Sequence, residues 1–145
     1  MTTPPPQHPH RLLAIDPGAR RTGVAVSDDL GLYAHPRPAL AVSGASLVEA
    51  VARLAVEEAA TELIVGLPLS LSGRDSAQTA SARQLARRLK QRLPIPVTEW
   101  DERLSTVEAS RRVRGAIARQ RGLVDSEAAA VVLQAVLDAR RLAAR

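Results

Sequence analysis

A short buried strand that ends in an acid and turns straight back on itself constrains this chain more than any other stretch. Residues 11–28 read RLLAIDPGARRTGVAVSD. Leu12, Leu13, Ala14 and Ile15 form an apolar run too short for a helix and suited to a strand covered on both faces. Asp16-Pro17-Gly18 follows, a carboxylate joined directly to turn residues. After Arg20 and Arg21, Thr22–Val26 resumes as a second strand with Gly23 and Ala25 on alternate positions. The hairpin thus carries one acid at the buried end of its first strand, where a carboxylate is costly unless something positive meets it. A metal ion or a guanidinium would be a functional partner. An Asx bond to the turn backbone is the plainer alternative.

At 145 residues the chain suits one domain with a substantial core. With no Phe, one Trp and one Tyr, that core must be built from Leu, Val, Ile and Ala. The absence of Cys excludes disulfides and thiolate zinc sites. Residues 1–9, with Pro4-Pro5-Pro6 and Pro9, are expected to be a mobile tail, leaving residues 10–145 as a single domain. This start has no apolar segment of signal-peptide type, and no apolar run approaches the roughly 20 residues that span a bilayer. A cytoplasmic protein without a membrane partner is the default expectation.

The formal charge is +5 and the sequence pI about 11.1, which favours an acidic partner such as nucleic acid. Residues 83–121 hold 11 basic residues against 4 acidic ones, so the excess is concentrated there. An Arg-rich composition explains why only Lys90 is a lysine. It does not explain the clustering, which points to a phosphate-facing surface.

The remaining pattern alternates strands with helices. Leu32–Leu40 reads as a third strand, placed at an edge by Pro36 and Pro38. Ser46–Thr61 has helical periodicity and a capping-box pair in Ser46 and Glu49. Leu63–Val65 is a buried strand leading to a loop at 69–74, and a helix runs from Asp75 to about Arg92. Pro94 and Pro96 stop that helix, and Ile95–Trp100 is the next strand. Ser105 and Glu108 mark another helix to about Arg114, residues 115–122 a basic loop, and Val124–Ala143 a last helix. Three strands at the front followed by strand–helix units predict an α/β fold with a mixed sheet.

Four carboxylates fall where chemistry could use them: Asp16, Asp101 and Glu102 at strand ends, and Asp125 at a helix start. Parallel strands bring their C-terminal ends to one crevice, so Asp16 and Asp101 can meet there. Carboxylates without convergent His or Cys suit hard cations, Mg²⁺ or Mn²⁺. Two such ions would hold the attacking water and leaving oxygen of a phosphodiester. Duller roles also exist: helix-dipole stabilisation for Asp125 and a pair with Arg103 for one of Asp101 and Glu102.

Four segments carry a family resemblance: Asp16–Ser27, Val65–Leu69, Asp101–Ala109, and Val124-Asp125 with Ala128-Ala129. In this order and spacing they resemble the YqgF/RuvX family, the Holliday junction resolvase-like or pre-16S rRNA nuclease family, over nearly all of the chain after the tail. The resemblance implies a ribonuclease H-like fold: a five-stranded mixed sheet, strands one to three antiparallel, flanked by helices. It implies a divalent-metal-dependent nuclease maturing the 5′ end of the small-subunit ribosomal RNA precursor, related to RuvC-type resolvases. Asp16, Asp101 and Asp125 would hold the metal, with Glu102 as the alternate at the acidic pair. Arg20, Arg21, Arg103, Arg119 and Arg121 would hold phosphates. Resolvases of the RuvC type carry a glutamate at the end of the fourth strand, where this chain has Gly66. Family members tend to have lysines before the final Asp, whereas Arg119 and Arg121 offer phosphate binding without a titratable amine.

Other substrates and classes follow from the same residues. Branched or single-stranded DNA would keep the chemistry, and symmetric cutting of a junction would call for a homodimer. A non-catalytic RNA-binding assembly factor would keep the fold. An ATPase of the actin and sugar-kinase type shares the strand–Asp-x-Gly–strand opening but needs two such halves, and only one is present. With so few aromatic residues, recognition by base stacking is disfavoured.

Overall fold

Alternation along the first strand sets the layers of the whole molecule. A computed structural model describes residues 10–70, 72, 74–117 and 123–144, with 115–117 described for their backbone only. In it β1 (Leu12–Pro17) sends Leu13 and Ile15 to one apolar cluster and Leu12 and Ala14 to another on the opposite face. Period-two alternation requires this split when both faces of a strand are covered.

The chain then builds outward from β1. Strand β2 (Thr22–Ser27) returns antiparallel, with Asp16 opposite Gly23, and β3 (Ala34–Leu40) pairs antiparallel on the outside of β2. On the other side β4 (Glu62–Leu67) runs parallel to β1, and β5 (Val97–Asp101) runs parallel to β4. The five-stranded order is β3-β2-β1-β4-β5. As its prolines predict, β3 lies at an edge. The β2–β3 register shifts between the Thr22↔Leu40 and Val24↔Arg37 pairs, in the stretch holding Pro38, whose nitrogen has no hydrogen to donate.

Helices α1 (Gly44–Glu57) and α2 (Ala77–Arg92) cover the Leu13–Ile15 face, while α3 (Val107–Ile117) and α4 (Glu127–Ala143) lie on the Leu12–Ala14 side. Gln134 of α4 is buried and anchors that helix to the sheet edge. Its Oε1 accepts the Ala34 N–H at 2.9 Å, and its Nε2 donates to the Leu32 carbonyl at 2.9 Å. None of the described helices is long and apolar enough to cross a membrane.

Several boundaries differ from expectation. Helix α1 starts two residues early at N-cap Ser43 and ends at Glu57, so the Ser46–Glu49 pair lies inside the helix, where Glu49 binds Arg92. In α2 the cap is Ser76, which accepts the Thr79 N–H at 3.1 Å. Ahead of α3, Thr106 rather than Ser105 caps by accepting the Ala109 N–H, and Glu108 pairs with Arg112. Helix α3 continues to Ile117, into the stretch expected to be a loop. The expected mobile tail 1–9 lies outside the described residues, as do Arg119 and Arg121.

Candidate active site

The hairpin turn places Asp16 at the open end of the sheet. Gly18 donates its N–H to the Arg21 carbonyl at 3.0 Å, closing the turn, and a Cβ there would stand 2.6 Å from that carbonyl oxygen. Only glycine fits without moving the turn. By alternation with Ala14 and Leu12, the Asp16 side chain emerges on the α3–α4 face.

Both sheet neighbours of Asp16 are glycines. Gly23 is its partner on β2, and Gly66 lies one step beyond the Ile15↔Val65 pair on β4. Each bare position is filled by an acid-bearing segment. Over Gly23 passes the chain entering α4: a Cβ at 23 would stand 2.5 Å from the Asp125 carbonyl oxygen and 3.2 Å from Ser126 Cα. Over Gly66 leans Glu102, whose Oε1 would be 3.2 Å and Cγ 3.4 Å from a Cβ at 66.

Ser126 fixes the first of these approaches. Its buried hydroxyl accepts the Val24 N–H at 3.0 Å and donates to the Arg37 carbonyl at 2.5 Å, joining β2, β3 and the start of α4. Asp125 sits in a short 3-10 turn, Val124–Ser126, rather than in the first turn of the α-helix. Its side chain faces Arg21, with Nη1 2.7 Å from Asp125 Oδ2.

The acidic pair after β5 divides. Asp101 turns to Arg103, accepting its backbone N–H at 2.9 Å and two guanidinium contacts onto Oδ2, at 3.0 Å from Nε and 2.7 Å from Nη2. That guanidinium bond, with the backbone bond, holds the Asp101 carboxyl below its usual range. Glu102, in the 3-10 turn Glu102–Leu104, is half-buried and reaches hydrogen-bonding distance of Asp16. Burial, the bond to Asp16 and repulsion from Asp16 and Asp101 push its pKa up to about 8.

Of the expected metal ligands, then, Asp16 and Glu102 meet. Asp101 and Asp125 are each turned onto an arginine. Among the described residues no three Asp, Glu or His side chains stand together in a metal-holding group. Of the expected phosphate-binding arginines, Arg20 and Arg21 lie on the hairpin turn and Arg103 lies beside Asp101.

The family model for RuvX, Holliday junction resolvase, matches residues 10–139. A relative from Koribacter versatilis named "Putative pre-16S rRNA nuclease" is 41% identical over 134 residues, covering 90% of this chain and 88% of its own. One of the same name from Thermobifida fusca is 43% identical over 140 residues, covering 89% and 87%. Among solved structures, Thermus thermophilus RuvC superimposes with a TM-score of 0.60 at 17% identity, covering 90% of this chain and 96% of that one. The same protein in complex with a Holliday junction substrate gives 0.58, also at 17%. The likeness shows the expected ribonuclease H-like fold.

Proposed function

Because the chain belongs to the RuvX family, we propose that it is a divalent-metal-dependent nuclease hydrolysing phosphodiester bonds of RNA, with the 5′ end of the 16S rRNA precursor as substrate. The observation that carries this reading is the Asp16–Glu102 pair at the strand ends, set between two glycines. Two half-buried carboxyls side by side favour either a shared proton or a cation. All-oxygen donors fit Mg²⁺ or Mn²⁺.

In this reading Asp16 and Glu102 are the primary metal ligands. Asp125 contributes a third carboxylate once Arg21 leaves it for a substrate phosphate. Asp101 stays with Arg103 and holds that guanidinium at the rim, where it meets the nucleic-acid backbone. Held by Asp16 and Glu102, a divalent ion would supply Lewis acidity for activating water and for balancing charge on the leaving group. Glu102, with its high proton affinity, must lose its proton before it can bind the ion, so metal binding strengthens as pH rises towards 8.

Cleavage of a labelled rRNA precursor, single-stranded DNA and a four-way DNA junction with Mg²⁺, Mn²⁺ or chelator tests this reading, alongside Asp16→Asn. The expected result is metal-dependent cutting of the RNA that vanishes in the variant while binding persists. Binding without cleavage under either metal would leave an RNA-binding assembly factor, and preferential cutting of the junction would move the substrate to DNA.

A further inference from the structure

On the opposite face of the same sheet end lies a cavity of about 230 Å³, between the hairpin turn, the start of α1 and the outer side of α2. Its lining includes Arg20, Arg21 and Arg88 with the polar side chains of Ser43, Ser81 and Gln84, and it contains no carboxylate. Ser81, Gln84 and Arg88 recur at helical spacing, so they form one stripe of α2 beside the buried stripe of Ala82, Leu85, Ala86 and Leu89.

Among the described residues, only Arg21 of the three cavity arginines is ion-paired, to Asp125, while Arg88 and Arg20 have no carboxylate partner. On α2 outside the cavity, Arg83 pairs with Asp75 and Arg92 with Glu49, and Arg87 is not paired. Ser43 makes no side-chain bond to the helix it caps. A concave space whose charged groups are all cationic, with hydroxyls beside them and Val42, Leu47 and Leu85 also in its lining, is suited to an anion with many acceptor oxygens on a partly apolar carrier. At this volume it takes one phosphate with part of its attached sugar, compared with roughly 30 Å³ for one water.

The cavity is joined to the acids. Asp16 faces one side of the sheet and its neighbour Pro17 lines the cavity on the other. Arg21 both lines the cavity and bonds Asp125. A strand laid across the hairpin turn therefore touches both places.

We infer that this cavity is a second phosphate subsite, which holds a phosphate of the RNA strand flanking the bond over Asp16 and Glu102. It rests on the nuclease reading for the position of the scissile bond. The binding of a phosphate of the strand is tested without cleavage.

The experiment measures binding of a fluorescent single-stranded RNA oligomer to the Asp16→Asn protein across a salt series, with and without Arg88→Ala. Losing one phosphate contact lowers affinity several-fold and reduces the slope of log K against log salt by about 0.7. Arg88→Lys is expected to restore the slope. Arg53→Ala, an equal charge loss on exposed α1, sets the background. Oligomers with and without a 5′-phosphate separate the two sources: an equal effect on both places an internal phosphate in the cavity, and an effect confined to the phosphorylated oligomer places a terminal one. Overturning the subsite requires only that Arg88→Ala match Arg53→Ala in affinity and slope. Absence of cleavage by the native protein would show in its own assay and leave this comparison intact.

Discussion

The two glycines beside Asp16 do related work by different means. At Gly23 the neighbour is backbone, the Asp125 carbonyl, held by Ser126 bonds to two strands. At Gly66 the neighbour is the far end of a flexible side chain, Glu102. The first glycine fixes where α4 docks, and so belongs to the fold. The second leaves room for one carboxylate, and so belongs to the site. A methyl group added at each position separates the two roles.

The largest stability effect is expected from Gly23→Ala. A Cβ 2.5 Å from a carbonyl oxygen forces the start of α4 off β2, at a cost of about 3 kcal/mol in urea denaturation, the upper range for overpacking. Ser126→Ala follows at about 1–2 kcal/mol, because the buried Val24 N–H and Arg37 carbonyl lose their partner. Gly66→Ala should change stability by less than about 1 kcal/mol, since alanine's lower chain entropy offsets a contact that Glu102 can relieve by rotating. Its effect should appear in catalysis, with a loss of about tenfold or more as Glu102 leaves Asp16.

A further effect is a pH dependence. Glu102 has an ordinary value of 4.5 and a folded value of about 8, so between these the native state keeps a proton that the unfolded chain has released. Stability of the metal-free protein therefore falls as pH rises from about 5 to 8. The fall is of order 1 kcal/mol, because the half-exposed site is screened by water. Denaturation curves at several pH values should show this slope, and Glu102→Gln should abolish it.

Much of this arrangement is legible in the residues themselves. The apolar run ending in Asp16-Pro17-Gly18 sets the hairpin, and prolines 36 and 38 assign β3 to an edge. The resemblance puts Asp101 first at the acidic pair with Glu102 as the alternate; in the fold Asp101 turns to Arg103 and Glu102 to Asp16. Trp100 packs on the α3–α4 face that Asp16 also faces, but the strand ends at Asp101. It is the 3-10 turn Glu102–Leu104 that brings Glu102 to Asp16, which strand periodicity does not foretell. The Arg21–Asp125 pair spans 104 residues, and no local pattern predicts such a contact. Gly66 stands out in sequence only as a missing glutamate. In the fold it is the space that another glutamate fills.

Titration of Mn²⁺ into the native protein, Glu102→Gln and Asp101→Asn at pH 8, followed by calorimetry, tests the pairing of Asp16 with Glu102 most directly. Glu102→Gln is expected to weaken binding by more than about tenfold, since even outer partners of a metal ligand cost that much. Asp101→Asn should stay within about threefold of the native protein, its carboxylate being engaged by Arg103 rather than by the ion. The reverse order, with Asp101→Asn the damaging change and Glu102→Gln nearly silent, would contradict that pairing.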